Sequence, residues 1–213
     1  MENLQSLNNN LFILGIAGGT GSGKTYLTNQ LIDKFGENII CSIPVDSYYL
    51  DLSHLSLIKR AENNFDHPNS FDFDLLTMHI KQLIKGKSIN IPTYDYKTHT
   101  RNKKTINIDS TYKIIIIEGI YALYHQRIRE YLNCSVFIEI NNEIRKNRRL
   151  KRDVKKRSRT IDSILLQYDK HVNPMFKEYI EPTIKHADLI IKKFENSDLN
   201  FIKLISTINS IIK

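Results

Sequence analysis

Gly18-Gly19-Thr20-Gly21-Ser22-Gly23-Lys24-Thr25 (GGTGSGKT) matches the P-loop pattern G-x-x-x-x-G-K-[ST] in full. The apolar residues 11–17 before it are typical of a buried strand, and residues 26–35 after it have the apolar spacing of a helix. Glycines in such a loop let the backbone turn tightly and point N–H groups at phosphate oxygens. We therefore expect the octapeptide to bind a nucleoside triphosphate. Lys24 would reach the outer phosphates, and the Thr25 hydroxyl would ligate Mg²⁺.

Length and composition fit one α/β domain. The chain has 213 residues, of which 41% are hydrophobic, and this suffices for a substantial core. Cys41 and Cys134 lack the spacing of a disulfide framework or a zinc site. The first residues show no basic region followed by an apolar core, and no apolar run approaches the ~20 residues of a membrane span. We therefore expect a soluble cytoplasmic protein with no membrane contact.

The positive charge of the chain is concentrated in one segment. The net charge is +8, and residues 145–159 contain ten Lys or Arg side chains against a single acid, Asp153. That segment carries the whole excess, which is typical of an element that faces phosphate rather than of a generally basic surface. It has helical composition without a wide apolar stripe, so we expect most of it to be solvated or to face a ligand.

Two acids stand at the ends of predicted strands. Residues 39–45 and the strongly apolar residues 113–119 are predicted strands, with Asp46 after the first and Glu118 at the end of the second. Ligands meet a parallel sheet at the carboxyl ends of its strands, so Asp46 is a candidate to accept the proton of an incoming hydroxyl. Glu118 is a candidate Mg²⁺ ligand, because a buried acid needs a cation nearby. The alternatives are a turn or N-cap role for Asp46 and a structural ion pair for Glu118.

Between these strands lies a polar and aromatic region. Within residues 63–72, Asp72 is predicted to cap a helix over residues 75–83, whereas Asp66 has no helix to cap. Residues 88–94 and 104–108 predict a β-hairpin whose polar and aromatic tip is a plausible ligand-contact loop.

The remaining segments complete an alternation of strands and helices. Helices are predicted over residues 122–132, 142–156, 161–168, 174–180 and 199–212, and strands over residues 134–140 and 187–191. Together the segments predict the α/β fold of P-loop NTPases, a three-layer sandwich with a mostly parallel central sheet. We expect residues 1–213 to form a single domain, with a β-hairpin at about 88–108 and a basic helical segment at about 142–160.

Seven segments together are more specific than the P-loop alone. A GTPase would carry N-K-x-D and D-x-x-G motifs in the usual order, and the chain has neither. In order, the segments are GIAGGTGSGKT (15–25), VDSYYLDLSHLS (45–56), NNFDHPNSFD (63–72), IPTYDYKTHTR (91–101), IIIIEGIYAL (114–123), RRLKRDVKKRSR (148–159) and QYDKHVNPMFKEYIEPTIKHADLII (167–191). This succession resembles the uridine kinase (uridine/cytidine kinase) family in its bacterial form. The resemblance to phosphoribulokinase and pantothenate kinase, which share the core, is more distant.

The resemblance implies that residues 1–213 form a single Mg²⁺-dependent P-loop kinase domain of pyrimidine salvage. In it the hairpin at about 88–108 would be a substrate flap, and the segment at about 142–160 an arginine-rich helical lid. The kinase would transfer the γ-phosphoryl group of ATP or GTP to the 5′-hydroxyl of uridine or cytidine, giving UMP or CMP. By motif, Asp46 is the implied base, and the metal ligands are Thr25 and Glu118. Lys24, Arg152 and Arg157 would act on the transferring phosphoryl group, and with Arg149 and Arg159 these arginines match the lid arginines that would close over the phosphates. The remaining Lys and Arg of the basic segment, apart from those matched to the acceptor, are expected on a solvated helix face.

The resemblance also implies a set of acceptor contacts, namely Tyr49, Phe65, Asp66, Tyr94, Tyr96, His99, Arg149, Arg159 and Gln167. Asp66 would accept hydrogen bonds from ribose hydroxyls, and Tyr94 and His99 would contact the edge of the pyrimidine. Phe65 and Tyr96 would flank its ring, which suits a base that needs aromatic walls and a few polar groups. Cross-strand packing is the alternative for Tyr94 and Tyr96.

Departures from the family pattern leave other readings open. Ser158 stands where a glycine is usual between Arg157 and Arg159, and residues 192–197, which hold the donor-base candidate Asn196, diverge. One rival is a kinase for another small hydroxylated acceptor, similar to phosphoribulokinase or pantothenate kinase. Another is a nucleic-acid-binding regulator with a nucleotide pocket, but the basic segment lacks interleaved aromatic residues, so we expect no nucleic-acid partner. The resemblance further suggests a homo-oligomer, a tetramer.

Overall fold

The strands of the computed structural model form two sheets within residues 11–157 and 159–213, the part of the chain that the structure describes. The strands are β1 (Phe12–Gly18), β2 (Ile40–Pro44), β3 (Ile89–Asp95), β4 (Thr100–Ile108), β5 (Ile114–Glu118), β6 (Cys134–Ile138) and β7 (Leu189–Ile191). The central sheet has the order β2-β5-β1-β6-β7, and its pairings are all parallel. Parallel strands end at one edge, so the segments that follow β1, β2 and β5 come together there.

Helices connect the strands of the central sheet. They are α1 (Lys24–Phe35), α2 (Leu57–Ala61), α3 (Phe73–Ile84), α4 (Gln126–Arg129), α5 (Asn142–Arg157), α6 (Ile161–Gln167), α7 (Asn173–Met175) and α8 (Leu199–Ile212). From α6 to β7 the backbone stays helical, with π turns at Tyr168–Val172 and Phe176–Ile180 and a 3₁₀ turn at Glu181–His186. Within the described ranges no helix is long and apolar enough to cross a membrane.

The sheet is buried on both faces. In β5, Ile115 and Ile117 face a core that includes α3, whereas Ile114 and Ile116 face a core that includes α1 and α8. This burial on both sides explains why β5 is a continuous apolar run rather than an alternating one. The predicted α/β fold with a mostly parallel central sheet is confirmed.

The hairpin differs from its prediction in length. β3 and β4 pair antiparallel, with an irregularity between Pro92 and Tyr94. β4 begins at Thr100, four residues earlier than the apolar pattern indicated, because residues 101–106 are exposed or half-buried and have little apolar signal. The tip therefore shrinks to Tyr96–His99, and His99 adopts a left-handed φ of 54°.

The helix predicted over residues 122–132 is mostly wrong. Only Gln126–Arg129 is helical, and the residues before it form turns. Tyr121, Ala122 and Leu123 are all fully buried. A run of consecutive buried side chains cannot be distinguished from one face of a helix by composition alone.

Asp198 organises the C-terminal helix. Its Oδ1 accepts hydrogen bonds from the N–H groups of Asn200 (2.9 Å) and Phe201 (3.2 Å) at the start of α8. Its Oδ2 accepts from the N–H groups of Lys192 (2.8 Å) and Lys193 (3.0 Å), in the loop after β7. Desolvation opposes ionisation, but these hydrogen bonds hold the pKa of Asp198 below its ordinary value.

We predict that Asp198→Ala lowers the free energy of unfolding by about 1–2 kcal/mol at pH 7, the usual cost of losing a helix cap. A carboxylate with a lowered folded-state pKa stabilises above its unfolded pKa, and that contribution is lost as the pH falls through the folded pKa. The difference between the two proteins should therefore shrink in acid. Urea denaturation at pH 7 and below pH 4 measures it, with the exposed Asp33→Ala as control. A difference independent of pH would contradict the prediction.

Candidate active site

The P-loop connects β1 to α1 around the side chain of Lys24. Gly18, Gly21 and Gly23 have φ values of 144°, 75° and 105°, which L side chains rarely adopt. The Lys24 ammonium donates to the carbonyl oxygens of Gly18 (2.9 Å) and Gly19 (3.1 Å). Burial lowers the pKa of Lys24, and the charges of Glu118 and Asp46 partly offset that effect. Two acids from neighbouring strands therefore act on the lysine.

Thr25 and Glu118 form the candidate metal pair. The Thr25 hydroxyl donates to Glu118 Oε1 at 3.1 Å, across the gap between α1 and the end of β5. Burial raises the pKa of Glu118, while Lys24 lowers it and Asp46 raises it. Among the described residues no group of three or more His, Cys, Asp or Glu side chains could hold a metal. A hydroxyl and one carboxylate fit Mg²⁺, which is held by few protein oxygens together with phosphates and water.

Asp46 lies in a short 3₁₀ turn, Val45–Tyr48, that directly follows β2. Pro44 is the N-cap of this turn, so the N-cap alternative for Asp46 does not hold. Pro44 is also the register partner of Glu118 in β5, which brings the two acids to the same edge of the sheet. The Asp46 charge acts on Lys24 and on the ring hydroxyl of Tyr49.

Asp66 is buried where the polar region meets α5. Its side chain forms an ion pair with Arg149 at 3.7 Å and accepts a hydrogen bond from the Gln167 amide at 3.4 Å. Tyr121 donates its hydroxyl to the backbone oxygen of Asp66, which fixes the loop from the other side. Asp66 is thus a buried carboxylate held by a cation and an amide, whereas Asp72 caps α3 through the N–H of Leu75 at 2.9 Å, as predicted.

Five aromatic side chains line the space next to Asp66. Tyr49 contacts Phe65, Tyr94 and Tyr96, with ring centroids 5.8, 5.0 and 6.5 Å apart. His99 stacks on Phe65 at 4.6 Å, which brings the hairpin tip onto the loop that carries Asp66. We call Tyr49, Phe65, Asp66, Tyr94, Tyr96 and His99 the acceptor cluster.

The acceptor cluster contains one buried polar atom without a hydrogen-bond partner among the described residues, the hydroxyl of Tyr94. Burial raises the pKa of Tyr94 to about 12. A buried phenol without a partner is costly, and a polar edge of a ligand would supply one. The hydroxyl therefore points to a ligand contact beyond the aromatic packing of Tyr94.

The buried face of α5 is charged rather than apolar. Arg145, Arg149 and Asp153 follow at four-residue spacing and are 2%, 5% and 0% exposed. Arg145 was expected on a solvated face, and this is wrong. Its guanidinium lies 3.8 Å from the centre of the Phe176 ring and donates to the Ile140 carbonyl at 3.1 Å. These partners compensate for its burial.

The other arginines of the basic segment reach different parts of the site. Arg149 donates to the Thr20 hydroxyl (3.3 Å) and to Gln167 (3.1 Å). Arg152 pairs with Asp153 at 2.8 Å, and its charge acts on Lys24. Arg159 donates to Gln167 and to Ser163. The side chain of Arg157 and all of Ser158 lie outside the described residues, so their expected roles stay predictions.

A pocket that shares no lining residue with the acceptor cluster adjoins the P-loop, and we call it the second pocket. It measures about 520 Å³ and is lined by Gly23, Tyr26, Arg148, Phe194 and Glu195. The rings of Tyr26 and Phe194 are 5.5 Å apart, and Arg148 donates to the Ser22 carbonyl at 3.3 Å. Asn196, the sequence-based candidate, is exposed and does not line this pocket.

Comparison with known proteins identifies the family. Residues 13–200 match the model of the "Phosphoribulokinase / Uridine kinase family". A uridine kinase of Clostridium novyi (strain NT) is 42% identical over 200 residues, covering 94% of this chain and 96% of that protein. A uridine kinase of Staphylococcus epidermidis is 45% identical over 183 residues, covering 86% and 88%. The chain belongs to the phosphoribulokinase / uridine kinase family. It is therefore a phosphotransferase, and the predicted family is confirmed.

Solved structures share the fold of this kinase. A structure described as a possible uridine kinase from Bacillus stearothermophilus has a TM-score of 0.58 at 22% identity, covering 89% of this chain and 92% of that one. Phosphoribulokinase from Rhodobacter spheroides has a TM-score of 0.62 at 13% identity, covering 91% and 74%. At these identities the likeness concerns the fold alone, which is that of P-loop kinases.

Sequence reasoning missed four residues at the nucleotide end of this kinase, namely Tyr26, Arg145, Arg148 and Phe194. The one available signal in the sequence was an aromatic residue, Tyr26, directly after the P-loop. In the structure its side chain is 57% exposed. The others depend on tertiary contacts with the loop, which local sequence patterns do not encode.

We predict that Gly21→Ala disrupts nucleotide binding. A Cβ at Gly21 would lie 2.3 Å from the Arg145 carbonyl oxygen, and its φ is +75°. Gly86 is a matched control, because its φ is +69° and nothing lies within 4 Å. Both variants should lose roughly 1–2 kcal/mol of stability from left-handed strain. Only Gly21→Ala should weaken binding of a non-hydrolysable ATP analogue in calorimetry, by about tenfold or more. Equal affinities in the two variants would contradict this.

Proposed function

We propose that this kinase phosphorylates pyrimidine ribonucleosides. It transfers the γ-phosphoryl group of ATP or GTP to the 5′-hydroxyl of uridine or cytidine, giving UMP or CMP. The names of its relatives at 42% and 45% identity support this reaction. The acceptor cluster supports it chemically, because a buried carboxylate suits vicinal ribose hydroxyls and aromatic walls suit a pyrimidine.

The observation that carries the proposal is the position of Asp46 between the two ends of the site. Pro44, at the end of β2, is the register partner of Glu118, which the Thr25 hydroxyl of the P-loop contacts. The short turn that carries Asp46 leads directly to Tyr49 of the acceptor cluster. An acid within range of both ends can accept the proton of a hydroxyl that attacks the terminal phosphate. We therefore assign Asp46 as the general base.

The acceptor is held by groups from three segments. Asp66 accepts hydrogen bonds from the ribose hydroxyls. Arg149 and Gln167 contact the Asp66 carboxylate, and Gln167 in turn accepts hydrogen bonds from Arg149 and Arg159. Tyr94 and His99 meet the pyrimidine edge, and Tyr49 with its ring neighbours closes the pocket. The buried Tyr94 hydroxyl gains in the base the partner that the protein does not supply.

The phosphates are bound by backbone N–H groups of residues 18–25 and by Lys24, which exchanges its two carbonyl contacts for phosphate oxygens. Arg152 and Arg157 stabilise the charge of the transferring group, for which guanidinium groups are well suited. Thr25 and Glu118 would hold Mg²⁺, which neutralises phosphate charge when bound. Covering the reacting group with α5 would also exclude water as a competing acceptor.

The donor base occupies the second pocket in this proposal. Phe194 and Tyr26 offer aromatic surface and Arg148 a guanidinium, and a purine can stack on all three. These groups suit adenine and guanine alike, so both ATP and GTP are candidate donors. A homo-oligomer, a tetramer by the resemblance, stays a prediction.

We predict that Asp46→Asn reduces kcat for uridine by about 10²–10⁴-fold, the usual contribution of a general base. Binding of ATP should change little, because the amide keeps the size of the side chain. A coupled kinase assay with uridine, cytidine, ribulose 5-phosphate and pantothenate tests both base and acceptor, with the exposed Asp74→Asn as control. Near-normal kcat in Asp46→Asn would sink the base assignment, and a parent enzyme that uses only the latter two acceptors would sink the proposed substrate.

We predict that Phe194→Ala raises KM for both ATP and GTP by roughly tenfold, since stacking of a base on an aromatic ring contributes about 1–3 kcal/mol. KM for uridine should stay within about twofold, because Phe194 lies apart from the acceptor cluster. Leu199→Ala, at a side chain 80% exposed in the following helix, is the control. An unchanged KM for both donors would remove the second pocket from the proposal.

A further inference from the structure

Arg60 forms an unusual set of contacts for a residue on a half-exposed surface. It lies in α2, a helix of five residues capped by the Ser56 hydroxyl. Its guanidinium donates to three backbone carbonyl oxygens, those of Leu55 (2.8 Å), Ser53 (2.9 Å) and Thr98 (3.0 Å). The first two bonds are local, but the third spans 38 positions and reaches the tip of the β3–β4 hairpin.

Thr98 immediately precedes His99 of the acceptor cluster. The tip is short, and His99 has a left-handed φ of 54°, a conformation that costs free energy in residues other than glycine. His99 stacks on Phe65 at 4.6 Å in that conformation. The bond from Arg60 to the Thr98 carbonyl therefore fixes the peptide that aims the imidazole.

A second arginine attaches the base of the tip. Arg101 donates to the Tyr49 carbonyl at 2.9 Å and to Asp72 at 3.0 Å. Arg101 thus holds β4 against the body of the protein, and Arg60 holds the turn beyond it. Within the turn, the Lys97 N–H donates to Asp95 and the hydroxyls of Thr98 and Thr100 bond to each other, so the bond from Arg60 adds a tie between Thr98 and a segment outside the hairpin.

The charge of Arg60 also acts on the two residues proposed to meet the pyrimidine edge. Burial lowers the pKa of His99, Asp95 raises it and Arg60 lowers it. Burial raises the pKa of Tyr94, and Arg60 is among the charges that lower it. A neutral imidazole nitrogen can accept a hydrogen bond from N3–H of uracil or the amino group of cytosine, and an imidazolium cannot.

We propose that Arg60 is a positioning residue for recognition of the acceptor base. It fixes the hairpin tip through the Thr98 carbonyl and places a positive charge near His99, which contacts the pyrimidine edge. This inference rests on the proposed pyrimidine nucleoside acceptor. Arg60 lies outside the acceptor cluster, but in this proposal it affects KM for the pyrimidine nucleoside.

The test compares Arg60→Gln with Lys59→Gln, which removes the same charge from the neighbouring exposed position. In Arg60→Gln, KM for uridine should rise about tenfold, the equivalent of one lost hydrogen bond to a well-ordered carbonyl. KM for ATP should match that of Lys59→Gln. Without the arginine charge the pKa of His99 rises, so the acid limb of kcat/KM for uridine should move to higher pH.

Arg60→Lys separates the two parts of the role. It keeps the charge but cannot reach three carbonyls from one planar group, so the acid limb should return while KM for uridine stays raised. Equal changes in the KM values for uridine and ATP, or an Arg60→Gln enzyme identical to Lys59→Gln, would overturn the inference while the parent still phosphorylates uridine. A parent that does not phosphorylate uridine would overturn the proposed function itself, and this inference with it.

Discussion

The contact between the P-loop and the first turns of α5 constrains the rest of the site. A Cβ at Gly19 would lie 2.0 Å from the Arg145 guanidinium, and one at Gly21 would lie 2.3 Å from the Arg145 carbonyl oxygen. At Gly21 the helix and the loop therefore meet backbone to backbone, and at Gly19 the loop backbone meets the Arg145 side chain, with no room for a Cβ at Gly21. Once Arg145 is fixed there, Arg148 and Arg149 fall one turn later, opposite Ser22 and Thr20. The base of the arginine-rich helix is thus part of the nucleotide site.

Negative charge at the carboxyl edge of the sheet faces these cations. Asp46 follows β2 and Glu118 ends the adjacent strand β5, and the charges of both acids raise the pKa of Lys24. Lys24 is held by two loop carbonyls that a phosphate can replace, so the lysine is positioned before a nucleotide arrives. Burial lowers the pKa of Lys24, and the two acids offset that effect in part. In the proposed function Glu118 also holds the metal and Asp46 also accepts the proton of the acceptor hydroxyl, so each acid has two roles.

Apolar patterns predicted the sheet well and the charged helix poorly. The continuous run of β5 has a simple physical cause, burial on both faces, and it places Glu118 at the edge where ligands bind. The helix α5 breaks the rule that charged residues face solvent. Arg145 and Asp153 are buried because partners distant in sequence, such as Phe176, or neighbouring arginines compensate their charge. Periodicity of apolar residues carries no information about such partners.

The orientation of this buried charge also bears on what the kinase binds. A protein that grips nucleic acid through a basic helix presents its cations as an exposed stripe along the phosphate backbone. Here Arg145 and Arg149 are nearly inaccessible, and Arg149 is tied to Asp66 and Thr20. Their charge is directed into the site, where a compact triphosphate and a transferring phosphoryl group concentrate negative charge. The buried arginines of the segment are thus placed to act on phosphates within the site, whereas Lys151 and Lys155 of the same helix are exposed and account for part of the +8.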